Sequence, residues 1–443
     1  MKRSAWRYLW TSEDIRKKLL ITLLLLVIYR FAANIPVPGI NREVIRSISE
    51  MGGAGASLFN LLDLLSGGTI SNFSILAMGV YPYITAQIII QLLVPIIPAL
   101  DRRIKDNPRE GRQIMERWTT LLTIPMALLS AIGQVNIFNS MATTGSILTF
   151  TFGFGGSSLM PTLTLIFSMV AGTMFGIWLG QLISEFGIPN QGLSLIIFAG
   201  IISSIPTNLI SILADKENGW WVLLIILALL ALTIFAIVYV QQGRRNVPVL
   251  FPGRRVGNRM SMPVRSNLPL MVNMAGMIPL IFAQTFLSFP ALIASYFIAG
   301  KTSGFWYSVY NLFSGSGWFY PVIFFILVVA FTFFYTDVLF TQQNYGDTLK
   351  KQGAQIPGVV RGGPTQKYLT KVQRRITFPG AFFLGFVAVL PYILSAILPL
   401  TRQSAFVISA AGLLIVVGVV RDTFTIIETE LKVHGYDESI IKG

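Results

Sequence analysis

The feature that most constrains this chain is a series of apolar segments, each close to the roughly 20 residues that a helix needs to cross a bilayer. The segments lie near 19–33, 75–97, 118–138, 160–183, 193–213, 220–240, 269–294, 319–340, 376–399 and 403–426. Charged residues make up only 12% of the chain, about half of the roughly 25% that water-soluble proteins carry. The sequence therefore predicts an all-α membrane protein with ten transmembrane helices.

The basic residues indicate the orientation of the chain, because lysine and arginine concentrate on the cytoplasmic side of membrane proteins. With the N-terminus in the cytoplasm, nearly all of the 34 basic residues lie on that side. Those left outside are Arg42, Arg46, Lys216, Lys301 and Arg402, and Arg30 falls within the first span. We therefore expect both termini, residues 1–18 and the tail 431–443, to be cytoplasmic.

A short pattern occurs twice, at Gly79–Gln87 and at Gly276–Gln284, with Gly, Pro, Ile, Ala and Gln at the same offsets. The copies are five predicted spans apart, so the second enters the membrane from the opposite side. Such inverted repeats place a substrate path between two halves. We expect two inverted, pseudo-symmetric five-helix halves, 19–213 and 220–430, in which Gly and Pro bend the repeated helices at matched depth. A chance match among apolar helices is the alternative interpretation.

Residues 58–73 are partly apolar but differ from the spans. Asn60, Asp63 and the pair Gly67-Gly68 interrupt them, and the segment is too short to cross a bilayer. This pattern is typical of a re-entrant or cavity-lining element, and the glycine pair would allow it to hinge. A static external loop is the alternative.

Two long cytoplasmic connections, about 242–268 and 341–375, concentrate basic residues and contain Asp347 as their one acidic residue. One interpretation is a topology signal combined with contacts to anionic lipid headgroups. However, a few charges beside each helix are enough to keep a loop on the cytoplasmic side, and these loops are longer than that requires. They are also rich in the turn formers Pro and Gly, which favours docking to an acidic partner such as a motor protein or ribosomal RNA. No nucleic-acid-reading module accompanies the charge, so we expect no nucleic-acid substrate.

Residues that carry most catalytic chemistry are scarce. The chain has no cysteine and a single histidine, His434, so the sequence predicts no enzyme, no metal site and no cofactor. It also lacks a phosphate-binding loop. A secondary transporter is the alternative function, but it needs ionisable residues within the spans, and Arg30, Glu185 and Asp337 all fall at or near span ends.

The run Ser74–Leu93, SILAMGVYPYITAQIIIQLL, closely resembles the signature of the SecY family of bacterial protein-translocation channels. Further runs match that family in the same order: Ile35–Ile40, Gly172–Phe175, Ser194–Ile201, Leu268–Leu270, Val272–Gly276, Phe333–Thr336 and Leu414–Gly418. The resemblance covers the chain from about residue 15 to its end. It implies an hourglass channel in the bacterial inner membrane that translocates unfolded preproteins and releases transmembrane segments sideways into the lipid.

The resemblance also implies the positions of the functional residues. A ring of apolar side chains at the waist would comprise Val80, Ile84, Leu193, Ile197, Ile281 and Ile415. A plug within 58–73 would comprise Leu58, Phe59, Leu61, Leu62, Leu64, Leu65, Gly67 and Gly68. A lateral gate between spans two and three and spans seven and eight would be lined by Thr85, Gln87, Ser130, Asn273 and Gln284.

The same resemblance implies the partners of the chain. These would be the small subunits SecE and SecG, the SecA ATPase, the ribosome, the signal sequences of preproteins, and membrane lipids. The partner-binding residues of the two basic loops would be Arg244, Arg245, Arg254, Arg255, Lys350, Lys351, Arg361 and Lys367.

Overall fold

The computed structural model describes residues 13–41, 73–97, 100, 108–141, 147–150, 152, 158–189, 191–213, 219–252, 255–256, 259–260, 262–298, 304–313, 317–397 and 410–433. Within these ranges the longer helices are α1 (Glu13–Ala32), α2 (Tyr81–Ile96), α3 (Pro108–Met141), α4 (Leu159–Phe186), α5 (Gly192–Leu213), α6 (Gly219–Gln242), α7 (Ile278–Ile298), α9 (Phe319–Gln343), α11 (Gly363–Ile397) and α12 (Ala410–Val433). Two shorter helices are α8 (Phe305–Phe313) and α10 (Tyr345–Lys351). The fold is mostly helical, as predicted.

Four helical stretches in the described residues are long and apolar enough to cross a membrane: Gln113–Asn136, Leu159–Phe186, Phe319–Lys351 and Gly363–Ile393. Shorter apolar helical stretches are Tyr81–Val94, Gly192–Ser203, Leu227–Gln242 and Ile278–Leu287. These stretches coincide with the second to the ninth predicted spans. The membrane class of the chain is thus supported by several apolar helices, while the full set of ten spans stays a prediction.

The strictly all-α prediction is wrong in the first basic loop. Strand β1 (Arg244–Phe251) pairs antiparallel with β4 (Val264–Met271), and β2 (Arg255–Val256) pairs with β3 (Arg259–Met260). The predicted start of the seventh span at residue 269 is therefore also wrong, because Pro269 and Leu270 belong to β4. Alternating burial on β1, with Val247 and Val249 buried between exposed neighbours, explains why this segment forms a strand.

The repeated Gly and Pro begin helices and do not bend them, so that prediction is corrected. Gly79 and Gly276 have positive φ angles of 53° and 63°, and helices α2 and α7 begin two residues later. Pro82 and Pro279 are each the second residue of their helix. Proline is tolerated there because its missing N–H has no intrahelical acceptor in the first turn. The two copies of the pattern thus share one local structure, a left-handed glycine followed by a helix start.

The second basic loop is more helical than predicted. Helix α11 begins at Gly363, so that its first residues extend the predicted ninth span into the region 341–375.

The charged residues at the ends of α1 are favourably placed. Glu13 and Asp14 lie in its first turn and Arg30 lies in its last turn, where they complement the helix dipole.

The segment before α2 packs tightly against α4 at Gly172. A β-carbon at this position would overlap the backbone carbonyl oxygen of Ile75. The amide of Ile75 donates to the carbonyl of Ile35 over 2.9 Å, which ties the segment to the end of α1. Gly172 therefore fixes the approach to α2, where Val80 lies.

The substitution Gly172→Ala is expected to lower the free energy of unfolding by about 1–3 kcal/mol, because the added methyl group overpacks a buried helix contact. The measurement is thermal unfolding of the purified variant. Gly418→Ala on α12 is the matched control, since a β-carbon there meets no atom within 4 Å and alanine favours a helix. Equal stability of the two variants would contradict the close contact.

Candidate functional site

Five of the six predicted ring residues lie in one apolar cluster, which we call the waist cluster. Val80 precedes α2, Ile197 belongs to α5 and Ile415 to α12, and all three are buried. Ile84 of α2 and Leu193 of α5 pack against them while partly exposed. The waist cluster therefore joins helices from both predicted halves of the chain.

The sixth predicted ring residue, Ile281 of α7, is buried in a neighbouring cluster. Ile84 packs against both clusters, and so does Met277. Ile84 and Ile281, which occupy equivalent positions in the two copies of the repeated pattern, therefore lie in the same apolar cluster. The six aliphatic side chains form a continuous apolar patch without hydrogen-bonding groups.

A polar cavity of about 630 Å³ opens beside the waist cluster. Its lining residues come from α2, α3, α4 and α5: Tyr83, Gln87, Gln91, Met115, Glu116, Thr119, Gly180, Gln181, Ser184, Glu185 and Leu193. Leu193 belongs to both, so the wall of the cavity ends on the apolar patch. A polar cavity thus lies directly beside a close-packed group of aliphatic side chains.

The sequence interpretation missed most of these cavity residues. Gln87 was predicted at the gate, but Glu116, Gln181 and Glu185 were not assigned a role, and the amide of Gln181 donates to Glu116 over 3.4 Å. A signal was present, because Gln87 and Gln91 stand one helical turn apart in an otherwise apolar helix. Polar groups on one face of a membrane helix indicate a cavity or a helix contact.

The predicted gate residues are distributed around the contact between α2, α3 and α7 and do not form one hydrogen-bonded set. The hydroxyl of Thr85 donates to Tyr81 within α2 over 3.0 Å. The buried Asn273 side chain bonds twice to the backbone of Gly276, at 3.0 and 3.1 Å, and so stabilises the turn before α7. Ser130 is half-buried on α3, and Gln284 is buried on α7.

The contact of α2 with α7 and α9, which we call the seam, is mostly apolar and aromatic. Ile88 of α2 is buried in one cluster with Phe282 of α7 and Tyr335 of α9. The rings of Phe282 and Tyr335 lie 5.8 Å apart, and Tyr335 is within hydrogen-bonding reach of Gln91. The polar prediction for this seam was incomplete, because sequence alone did not show that these aromatic rings meet α2.

The two basic loops form a single body, which we call the basic platform: β1, β4, α10, residues 352–362 and the start of α11. Leu250 of β1 and Gln355 exchange two backbone hydrogen bonds of 2.8 and 2.9 Å. Beneath them, one apolar cluster contains Val247 and Val249 of β1 together with Leu369 of α11. The platform is therefore held by a core of its own.

Most of the predicted partner-binding residues lie exposed on this platform. These are Arg244, Arg245, Lys350, Lys351, Arg361 and Lys367. The guanidinium of Arg361 donates to the side chain of Gln355 over 3.2 Å, which orients it next to the bridge between the loops. Arg254 lies outside the described residues, and for Arg255 only the strand is described.

At the base of the platform, Arg374 of α11 holds Asp337 of α9 through a bidentate contact. The Nε atom donates to both carboxylate oxygens over 3.1 Å, and a terminal nitrogen donates to Oδ2 over 2.8 Å. These charge-assisted bonds hold the guanidinium and the carboxylate in one fixed geometry between α9 and α11.

The predicted plug residues lie outside the described residues. They are Leu58, Phe59, Leu61, Leu62, Leu64, Leu65, Gly67 and Gly68. The last residue of the predicted plug segment, Phe73, is described and is almost fully buried with a φ angle of 41°.

The sequence of this chain is similar to those of known proteins over nearly its whole length. The SecY family model matches residues 74–424. The chain is 35% identical to the protein translocase subunit SecY of Streptomyces scabiei, covering 98% of this chain and 99% of that protein. It is 36% identical to the SecY subunit of Aquifex aeolicus, covering 96% of each.

Solved structures share the fold at lower sequence identity. A structure described as a protein conducting channel matches with a TM-score of 0.63 and 18% identity, covering 100% of both chains. The idle yeast Ssh1 complex bound to the yeast 80S ribosome matches with a TM-score of 0.58 and 14% identity, covering 97% of this chain and 95% of that one.

Proposed function

This chain belongs to the SecY family and is a protein translocation channel, and we propose that it passes unfolded preproteins across the bacterial inner membrane and releases transmembrane segments sideways into the lipid. The observation that carries the detailed proposal is the waist cluster beside the polar cavity. A channel for polypeptides must accept every kind of side chain and still retain ions when it is empty.

The six aliphatic residues are proposed to form the constriction. Branched apolar side chains exclude water from a narrow neck, which blocks ions. They can also conform around a passing chain without binding it, whereas polar groups would hold particular side chains. The polar cavity would then be the cytoplasmic chamber in which the incoming chain remains hydrated, and residues 58–73 would be the plug.

The seam between α2, α3, α7 and α9 is proposed to be the lateral gate. Its contacts are mainly apolar and aromatic, so parting them toward lipid exposes few unsatisfied polar groups. A leucine-rich signal segment could then move into the bilayer with a gain of about 0.3–0.6 kcal/mol per strongly apolar residue. Gln91 and Tyr335 would supply one modest polar contact across the closed seam.

The basic platform is proposed to face the cytoplasm and to dock the partner that drives transport. The chain has no phosphate-binding loop, so energy must come from an ATPase such as SecA or from a translating ribosome. Exposed arginines and lysines on a body with its own core present a stable positive surface to an acidic partner. We propose SecE and SecG as further subunits, with ten spans in two inverted halves and both termini cytoplasmic.

Reconstitution into liposomes tests the proposal. The purified complex should carry a preprotein into the vesicle lumen when a SecA-type ATPase and ATP are added, and it should fail without the ATPase. Protease protection of the preprotein is the measurement. Matched vesicles that lack this chain provide the control.

The same vesicles distinguish the alternative class. A secondary transporter would take up a small solute when an ion gradient is imposed, with no ATPase present. Gradient-driven solute uptake together with an absence of preprotein protection would overturn the proposed function.

A further inference from the structure

A short link joins the basic platform to α7, one of the helices of the seam. Strand β4 ends at Met271 and α7 begins at Ile278, and we call residues 272–277 the α7 link. Ile281, one of the six aliphatic residues, lies in the first turn of α7. The contacts that hold the α7 link therefore set the position of a seam helix and of one residue of the proposed constriction.

Gln373 of α11 holds the chain where it enters the α7 link. Its side chain is only 1% exposed. Its Nε2 atom donates to the backbone carbonyl oxygen of Met271 over 3.1 Å and to the hydroxyl oxygen of Thr377 over 3.3 Å. Because the acceptor at Met271 is a backbone atom, this hydrogen bond fixes the path of the main chain itself.

The α7 link is also held at the residues that follow. The amide of Val272 donates to the carbonyl oxygen of Gly243, directly after α6, over 3.0 Å. Val272 lies against Gly380 of α11, where a β-carbon would come within 2.8 Å of the Val272 carbonyl oxygen. The side chain of Asn273 then closes the turn at Gly276. The start of α7 is thus tied to α11 through a link that is fixed at successive residues.

Gln373 is not explained by packing alone. Its Oε1 atom is buried, and no donor in the described part of the chain lies within hydrogen-bonding distance of it. A buried acceptor without a donor costs free energy. An apolar side chain of similar volume would fill the site without that cost. The hydrogen bond to the Met271 carbonyl is therefore the feature that the glutamine adds.

The neighbouring residue on α11 holds the second helix of the seam. Arg374 binds Asp337 of α9 through the bidentate contact described above. Adjacent residues of α11 therefore hold α7, through its link, and α9. Helix α2, on the other side of the seam, has no such tie to Gln373 or Arg374 in the described hydrogen bonds.

We propose that Gln373 is a positioning residue, which fixes the start of α7 to α11 and thereby sets the resting separation of α2 and α7. The proposal rests on the proposed role of the seam as the lateral gate. Gln373 is buried and acts through the backbone of the α7 link, not by touching the transported chain. Without its hydrogen bond to Met271 the link can shift, and α7 moves away from α2 with Ile281 on it.

A distance measurement across the seam tests this proposal. The chain contains no cysteine, so spin labels can be attached through Leu93→Cys on α2 and Ile293→Cys on α7, which are both exposed positions. Pulsed electron paramagnetic resonance then gives the distribution of the label separation in the purified complex, without preprotein or ATPase. In Gln373→Met we expect the mean separation to lengthen by on the order of 2–5 Å, in the range of known helix shifts. The temperature of thermal unfolding should change little, because the substitution conserves volume.

The same substitution two turns earlier on α11, Gln366→Met, is the matched control. Gln366 also donates to a backbone carbonyl oxygen, that of Phe340 at the end of α9, over 3.3 Å. It does not contact the α7 link, so the label separation should remain that of the unaltered chain. Gly380→Ala perturbs the link by a second route, because its methyl group pushes on Val272 while Gln373 is retained, and it should lengthen the separation as well.

Three results would overturn the proposal. The first is an unchanged label separation in Gln373→Met, or in Gly380→Ala if Gln373→Met does not fold. The second is a lower unfolding temperature of Gln373→Met with an unchanged separation, which would make the residue purely structural. The third is an equal lengthening in Gln366→Met, which would indicate general loosening of α11. Because the resting measurement uses no preprotein, its failure is distinct from a failure of the liposome translocation experiment.

Discussion

Planar bilayers that contain the Ile281→Asn variant are expected to conduct ions in the absence of any substrate, with a resting conductance on the order of tenfold above that of the unaltered channel. Ile281 is buried in the apolar cluster that also contacts Ile84. An amide at this position binds water, so the narrow neck would no longer exclude it. The measurement is single-channel conductance in a planar bilayer at rest.

Two further variants separate this effect from a general loss of structure. Ile84→Asn replaces a residue that is only partly buried, so this variant perturbs the packing less. Its resting conductance should also be higher than that of the unaltered channel. Ile326→Asn on α9 is the control, because its side chain is 58% exposed and is not one of the residues of the waist cluster. If Ile84→Asn and Ile281→Asn both show the resting conductance of the unaltered channel, the proposal that the six aliphatic residues form the constriction is wrong.

Charge reversal in Arg361→Glu is expected to lower ATPase-driven preprotein translocation by at least about tenfold, because a like charge then meets an acidic partner. Arg361 is exposed on the basic platform and is oriented by Gln355. The measurement is the initial rate of preprotein protection in vesicles at a fixed ATPase concentration. The resting conductance should remain unchanged, since Arg361 is not part of the waist cluster.

Two control variants show whether the effect of Arg361→Glu on translocation depends on the position of the charge or on the net charge of the chain. Lys17→Glu on α1 reverses an exposed charge that pairs with Glu13 and does not belong to the basic platform, and this variant should support normal translocation. Gln355→Ala retains the charge of Arg361 but removes its hydrogen bond, so a smaller loss is expected. Full ATPase-dependent activity in Arg361→Glu would exclude this residue from partner docking.

The positions of the helices were predictable because hydrophobicity over about 20 residues is a local property of the chain. The described helices α3, α4, α9 and α11 fall on predicted spans. Helix starts were less predictable. The repeated Gly and Pro were predicted to bend their helices. In the structure, Gly276 has a left-handed backbone conformation that ends the preceding segment, and the next helix begins two residues later with proline in its first turn.

The candidate site was predictable only in part. Motif resemblance selected all six aliphatic residues of the proposed ring. It did not reveal the polar cavity, whose lining by Glu116, Gln181 and Glu185 depends on how four helices pack. The hydrogen bonds of Asn273 were also unexpected, because they close a local turn and do not cross the seam.

The sequence by itself determined the membrane class, the family resemblance and the positive charge of the two loops, since composition and motif order are written along the chain. Only the tertiary structure decided that these loops are one platform. Leu250 and Gln355 are far apart in sequence, and their two backbone hydrogen bonds form only when β1 and the segment before α11 are brought together by a shared apolar core. Backbone groups carry no side-chain signature, so pairing of this kind leaves no trace in a local sequence window.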